Sequence, residues 1–171
     1  MDEVWKEILN FDDYMISNKG VIKSFKRKKD RIMKYIISDG YYAISLVSNN
    51  ETKILKKVHK ILAELFIENP NNFKCVDHID TDRLNNDLSN LRWCTHVQNS
   101  YNRNKINTKC TSKYKGVCQR KSSKKWIATV GFEGKTYNLG YFATEIEATL
   151  AYNVAALKFF KQFAKLNIID E

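Results

Sequence analysis

Along the first third of the chain, apolar residues come in short runs separated by turn-forming residues, the pattern of small antiparallel strands. From Val4 the sequence reads VWKEILNFDDYMISNKGVIKSF, and Asn18-Lys19-Gly20 marks a hairpin connection. Asp39-Gly40 followed by YYAISLV predicts another turn and strand, and Asn49-Asn50 separates it from a return strand near Thr52 to Leu55. Val58, Ile61, Leu62, Leu65 and Phe66 then fall at helical spacing. They predict an amphipathic helix over Lys57 to Ile67 that closes at Asn69-Pro70, with its apolar residues in a core.

Lys74 to Ile79 reads as a strand, Asp80 to Asn90 as a polar loop, and Leu91 to Cys94 as a second strand. Thr95 and Gln98 have capping-box spacing, so a helix is expected from His96 with Asn99 in its first turns. Asn102 to Ser112 is polar and basic without apolar periodicity, a linker. Three strands follow, over Tyr114 to Gln119, Lys125 to Phe132 and Lys135 to Leu139, joined by Lys121-Ser122-Ser123-Lys124 and Glu133-Gly134. Thr144 and Glu147 form another capping box. Ala148, Ala151, Tyr152, Ala155 and Phe159 give one face of a helix reaching about Phe160, with alanines that permit close approach to a sheet. The fold class is α+β built from small modules: N-terminal β-hairpins plus a helix (residues 1–70), a central ββα hairpin and helix (71–104), a basic linker (105–112), and a three-stranded antiparallel sheet packed on one helix (113–171).

Charge points to the partner. The 171-residue chain carries a formal +10, and no acidic residue occurs between Asp87 and Glu133, a stretch holding Arg92, Arg103, Lys105, Lys109, Lys113, Lys115, Arg120, Lys121, Lys124 and Lys125. A second basic cluster, Lys19, Lys23, Lys26, Arg27, Lys28, Lys29, Arg31 and Lys34, surrounds the first hairpin turn. One-signed runs of this kind attract a polyanion. No apolar stretch has the length of a membrane span, and the acidic start MDEVWKEI lacks a signal peptide's regions, so an intracellular protein without a membrane partner is expected. Cys75, Cys94, Cys110 and Cys118 are too few and too irregular for a secreted disulfide framework and read as reduced thiols.

The stretch Cys75 to Arg103, CVDHIDTDRLNNDLSNLRWCTHVQNSYNR, concentrates Asp, His and Asn. Cys75-x-x-His78 with Cys94-x-His96 could be a zinc site, but the second spacing and the lack of any Cys-x-x-Cys argue against structural zinc. Asp80, Asp82 and Asp87 depart from a calcium-loop pattern and read as a solvated turn. His59, in a basic helix, and His96, after a cap, are assigned no partner.

On Val76, Asp77, His78, Ile79 and Asp80, then Asn85-Asn86, then Asn90, Leu91, Arg92 and Trp93, and finally Asn99, the sequence resembles the HNH endonucleases of the homing type found in phages and other viruses. The preceding order W-K-x-I, Y-x-I-S-N-x-G, D-G-Y, V-H-K-I-L-A and F-I-x-N-P resembles the modular domain that often precedes this nuclease, so the likeness spans residues 4–103. The resemblance implies that Asp77 and Asn99 hold one divalent cation, that His78 is the general base, and that Asn90 pins the loop that aims it. The chemistry suits the residue types: a phosphodiester needs an activated water, a base titrating near neutrality, and a hard cation such as Mg²⁺ or Mn²⁺ that takes oxygen ligands and retains waters. Asp77 and His78 are adjacent, whereas strand side chains alternate faces, so the backbone is expected to leave ideal extended geometry there.

Over Ser112 to Asn167, YKGVCQR, KW, LGYF, EATLAYNVAALKFF and a closing KLN resemble the AP2/ERF DNA-binding domain, whose sheet lies in the major groove. By position, Lys115, Gly116, Arg120, Thr129, Thr136 and Asn138 would face DNA. Cys118, Ser122 and Asn138 depart from the plant domains, so the plant recognition site does not carry over. Trp126 and Tyr141 are expected in the core. Phosphate contacts are assigned to Lys23, Lys26, Arg27, Lys28, Lys29, Arg103, Lys105 and Lys113. The expected function is site-specific cleavage of double-stranded DNA by a monomer or weak dimer with no small-molecule cofactor. The alternatives are a non-catalytic DNA-binding regulator that keeps the nuclease fold, and a zinc-stabilised RNA binder.

Overall fold

The structure, a computed structural model, describes residues 2–27, 29–105 and 110–169. It divides into two compact units, Met1–His96 and Val97–Glu171. Lys28, and residues 106–109 of the expected linker, lie outside the described residues.

The first unit opens with β1 (Trp5–Ile8), β2 (Phe11–Ser17), β3 (Ile22–Ser24) and β4 (Arg31–Ile32), an antiparallel sheet in chain order. Gly20, at φ +82°, forms the turn between β2 and β3 that Asn18-Lys19-Gly20 predicts, and its N–H donates to the Ser17 carbonyl at 2.8 Å. A second antiparallel sheet holds β5 (Ile36–Ser38), β6 (Tyr41–Val47) and β7 (Lys53–Lys57). Asp39 and Gly40 both have positive φ between β5 and β6, as a tight hairpin requires. The return strand β7 starts and ends later than the sequence suggests because its ladder with β6 continues to Ala43↔Lys57, and it passes straight into α1 (Val58–Phe66).

The helix α1 has no side-chain N-cap bond and no acidic residue in its first turn. An absent cap costs about 1 kcal/mol. Burying Val58, Ile61 and Leu62, each at most 1% exposed, contributes roughly 1.5–3 kcal/mol per side chain, so packing rather than capping holds the helix. Its apolar face joins Ile8, Phe11, Tyr14, Ile16 and Ile22 of the first sheet, Ile44 and Leu46 of the second, and Val76 and Leu91 in one core. Val76 and Leu91 belong to β8 (Cys75–His78) and β9 (Leu91–Cys94), a two-stranded antiparallel ladder. The Trp93 indole N–H donates to the Ile67 carbonyl at 3.0 Å and fastens β9 to the end of α1. Asn69 closes the following turn by bonding both backbone groups of Phe73.

α2 (His96–Tyr101) begins where the sequence predicts. In the second unit, β10 (Val117–Gln119), β11 (Trp126–Phe132) and β12 (Lys135–Phe142) form an antiparallel sheet in that order. β10 starts three residues later than expected because Tyr114 to Gly116 turn, with Gly116 at φ +75°. β12 runs past Leu139 to Phe142, and a register shift between Ala128 and Thr129 accommodates the extension. α3 (Glu145–Phe160) carries the complete capping box of Thr144 and Glu147 and buries Ala148, Tyr152, Ala155, Ala156 and Phe160. Asn167 ties the end of the unit to its start: its side chain bonds both backbone groups of Lys115, while its own backbone bonds Asn153.

Three expectations are corrected. Cys110 and Cys118 form a disulfide rather than two reduced thiols, because the turn at Tyr114 to Gly116 returns β10 to Cys110 with the Cα atoms 5.6 Å apart; Cys75 and Cys94 are not disulfide-bonded. Tyr141 is 49% exposed instead of core, since it stands opposite Ile127 and so on the face away from Ala128 and Val130. Asp77 and His78 both lie in a regular ladder, opposite Arg92 and Leu91, so extended geometry persists through them. Among the described residues, no helix is long and apolar enough to cross a membrane.

A Cβ at Gly116 would stand 2.1 Å from Cδ2 of Tyr152 and 2.6 Å from the Thr129 carbonyl oxygen. Gly116→Ala is therefore expected to destabilise the second unit by roughly 2–4 kcal/mol, combining overpacking with an unfavourable left-handed backbone. Urea unfolding followed by near-UV circular dichroism checks this.

Candidate active site

The β8–β9 ladder divides the adjacent residues Asp77 and His78 between its two faces. On one face, the Asp77 carboxylate is 5% exposed and accepts from Arg92 directly opposite, with Oδ2 at 2.9 Å from Nε and 2.6 Å from Nη2. Cys75 and Cys94, also opposite each other, follow on this face, and the Cys75 sulfur lies 3.7 Å from His96 Nδ1. Burial first, then the neighbouring Cys75 and Asp77, push the Cys94 thiol up to about 12, so it is a neutral packing group.

On the other face, His78 is 5% exposed and its Nε2 lies 3.1 Å from Asn86 Oδ1. An amide oxygen only accepts, so Nε2 is the donor in this contact. The loop between the strands is organised on Asp80 and Asn90. Asn90 Oδ1 accepts from the Asp80 N–H at 3.0 Å, and Asn90 Nδ2 donates to Asp80 Oδ1 and to the Asn85 carbonyl, both at 2.9 Å. Asn85 Nδ2 donates to Asp80 Oδ2 at 2.7 Å, and the Asp82 N–H donates to Asp80 Oδ1 at 2.8 Å. Desolvation works against the charged carboxylate of Asp80, but the hydrogen bonds from Asn85, Asn90 and Asp82, with His78 nearby, outweigh it and hold its carboxyl below the usual range. The polar loop is thus a set of local side-chain-to-backbone closures, and Asn86 emerges from it against His78.

Sequence reasoning missed His59. Its ring is 3% exposed, lies 4.9 Å from the His78 ring in an edge-on arrangement, and is 4.8 Å from the Tyr41 ring. Tyr41 in turn lies 5.9 Å from His78 and carries Lys57 and Arg83 over its ring, at 4.3 and 4.9 Å. Burial, followed by the charges of His78, Lys60 and Lys57, pushes His59 down to about 3, so it stays neutral. Its Nδ1 is buried and has no hydrogen-bond partner in the protein, a feature that costs about 1–3 kcal/mol. The signal was present in spacing: His59 precedes Leu62 by three residues and Phe66 by seven, at the margin of the apolar stripe.

The basic residues divide into two groups. Lys23 lies over the Trp5 ring at 4.0 Å, and Lys26 pairs with Asp13 at 3.3 Å. Lys105 Nζ donates to the Ser112 carbonyl. Lys115 turns inward, donating to the carbonyls of Tyr101 and Arg103 at 2.7 and 2.8 Å, and burial, then Lys165, push it down to about 8. Each of these four meets a group of the protein itself, and Lys26 remains exposed. Arg27, Lys29, Arg103, Lys113 and Arg120 are exposed. Arg120 donates to the Tyr141 hydroxyl at 3.2 Å. Thr129 pairs with Asn138 and Gly131 with Thr136, so Thr129, Thr136 and Asn138 share the sheet face turned away from Ala128 and Val130.

A carboxylate and an amide oxygen are donors that a hard cation takes. Asp77 and Asn99 carry oxygen donors of that kind. Among the described residues, no three His, Cys, Asp or Glu side chains gather in a metal-binding group.

Family models match two parts of the chain: the NUMOD4 motif over residues 3–47 and HNH endonuclease over residues 56–101. An uncharacterized HNH endonuclease of Acanthamoeba polyphaga mimivirus is 44% identical over 96 residues, which is 56% of this chain and 28% of that protein. The DNA endonuclease I-HmuI of Bacillus phage SP01 is 33% identical over 121 residues, 70% of this chain and 68% of that one. A solved structure of DNA binding and cleavage by the HNH homing endonuclease I-HmuI superposes with a TM-score of 0.51 at 32% identity, over 58% of this chain and 56% of that chain. The chain thus spans little more than a quarter of the mimivirus protein and about two thirds of the phage enzyme.

Two outcomes follow. Arg92→Ala leaves the Asp77 carboxylate buried without its counter-charge, and is expected to lower stability by about 3 kcal/mol in urea unfolding. His59, neutral when folded but able to protonate near 6.5 when unfolded, makes the native state lose stability as pH falls below 6.5 toward 3. His59→Phe removes that linkage, so its stability relative to wild type is expected to improve between pH 7.5 and pH 5 in parallel urea titrations.

Proposed function

Because this chain belongs to the HNH endonuclease family, we propose that it is a homing-type, site-specific DNA endonuclease that hydrolyses phosphodiester bonds. The observation that carries this reading is the β8–β9 hairpin, where a buried carboxylate and a buried, hydrogen-bonded imidazole stand on consecutive residues above a loop locked by Asn90.

His78, with its Nε2–H held by Asn86, accepts at Nδ1 the proton of the attacking water. Asn90 keeps the Asp80 loop closed, which fixes Asn86 and with it the orientation of the base. When bound to the Asp77 carboxylate and the Asn99 amide, a divalent cation of the Mg²⁺ or Mn²⁺ type supplies stabilisation of charge on the scissile phosphate and the leaving oxygen. Arg92 keeps the Asp77 carboxylate in place across the ladder. The products are 3′-hydroxyl and 5′-phosphate ends. Exposed cations, among them Arg27, Lys29, Arg103, Lys113 and Arg120, make phosphate contacts, and Thr129, Thr136 and Asn138 read base edges from the outer face of an AP2-like sheet. One site cuts one strand, so a monomer nicks and a double-strand break needs two chains or two events.

A second reading rests on the Asp77–Arg92 pair. A guanidinium already neutralising the carboxylate competes with a cation, as suits a DNA-binding regulator that keeps the nuclease fold without cutting.

A supercoiled plasmid carrying DNA of the source genome separates the two. Nicked product is expected with Mg²⁺ or Mn²⁺ and not with EDTA, and His78→Ala is expected to lower the rate about 10²–10⁴-fold, the usual contribution of a general base. DNA that is shifted on a gel but never cut with either metal, while a control nuclease cuts, assigns the chain to the regulator class.

A further inference from the structure

His59 is a polar residue in a place where an apolar one would pack better. It sits on the buried side of α1, 3% exposed, and its Nδ1 is one of two buried side-chain atoms among the described residues with no hydrogen-bond partner, the other being the Tyr35 hydroxyl. A phenylalanine would fill the same slot without stranding a nitrogen. The stranded atom is not in a remote part of the core. It belongs to the ring that meets His78 edge-on, with centroids 4.9 Å apart and planes at 65°, while Tyr41 closes the remaining side at 4.8 Å from His59 and 5.9 Å from His78. Asn86 therefore holds His78 at one nitrogen, and His59 and Tyr41 flank its ring. Polar groups kept at a cost to the fold concentrate where function requires them.

We propose that His59 is a positioning residue for the cleavage reaction: its imidazole, packed edge-on against His78 with its Nδ1 unpartnered inside the protein, sets the orientation of the His78 ring. The proposal rests on the reading of His78 as the general base. His59 does not touch the substrate and transfers no proton. It acts through the ring beside it, so its loss lowers the rate of the chemical step and leaves DNA binding alone.

The test uses the full chain, wild type and the variants His59→Phe, His59→Asn and His78→Ala. Single-turnover nicking of the supercoiled plasmid in Mg²⁺, DNA affinity in EDTA and melting temperature are measured for each, and imidazole ¹⁵N spectra are recorded for the wild type and His59→Phe. His59→Phe is expected to melt at or above the wild-type temperature, bind DNA within twofold, and nick at least tenfold more slowly. His59→Asn, which restores a polar atom near the Nδ1 position, is expected to recover part of the rate. The spectra are expected to show His78 as a single Nε2–H tautomer in the wild type and as a tautomer mixture in His59→Phe, a readout that does not depend on activity. Wild-type nicking by His59→Phe, or a rate loss matched by lost DNA affinity or melting temperature, would make His59 a packing residue and overturn the proposal. Unchanged His78 spectra in His59→Phe overturn it as well. Undiminished nicking by His78→Ala instead removes the general-base reading beneath it, and the His78 signals of the wild type and His59→Phe distinguish the two failures.

Discussion

The seating of α1 is the constraint on which the first unit depends. Neither the β1–β4 sheet nor the β5–β7 sheet has a second layer of its own, and the two strands β8 and β9 are too few to bury anything alone. Val58, Ile61, Leu62 and Ala63 supply the missing layer to all three. The same helix brings His59 to His78, so the packing that stabilises the unit also fixes the surroundings of the His78 imidazole. A shift of α1 by even a fraction of a turn would disturb both, because close-packed interiors transmit displacement rather than absorb it.

Much of this was legible from the residues. The turns at Asn18-Lys19-Gly20 and Asp39-Gly40, a helix within residues 57–67, a strand within residues 74–79, the strand from Leu91 to Cys94, and the capping box at Thr144 all follow from local chemistry, which tertiary contacts reinforced. Other features depend on register and could not be read. That Asp77 stands opposite Arg92 requires knowing how the loop from Ile79 to Asn90 closes, and that closure is set by several mutually dependent bonds on Asp80 and Asn90. His59 was hidden for a different reason. Lys57 and Lys60 beside it make the segment look solvated, yet both long side chains can reach water while the imidazole between them cannot. Tyr141 reads as core from sequence because large aromatics usually are, whereas the register of β11 and β12 turns it outward.

The basic composition likewise proves to be two populations. Lys115 illustrates the difference: a positive charge in a one-signed run reads as a ligand for phosphate, but its ammonium is spent on the carbonyls of Tyr101 and Arg103, where it closes the chain at the end of α2. Net charge foretells the partner's sign better than it foretells which residues meet that partner.

The shared core carries a consequence for how such a chain can be assembled over generations. Its apolar cluster draws on residues from Ile8 to Leu91, so it crosses the interval between the two family segments at residues 3–47 and 56–101. A recombination joint placed in that interval would pair halves of unrelated cores, and the hybrid would inherit a helix cut for someone else's sheets. The motifs can be catalogued separately, but they have to travel together.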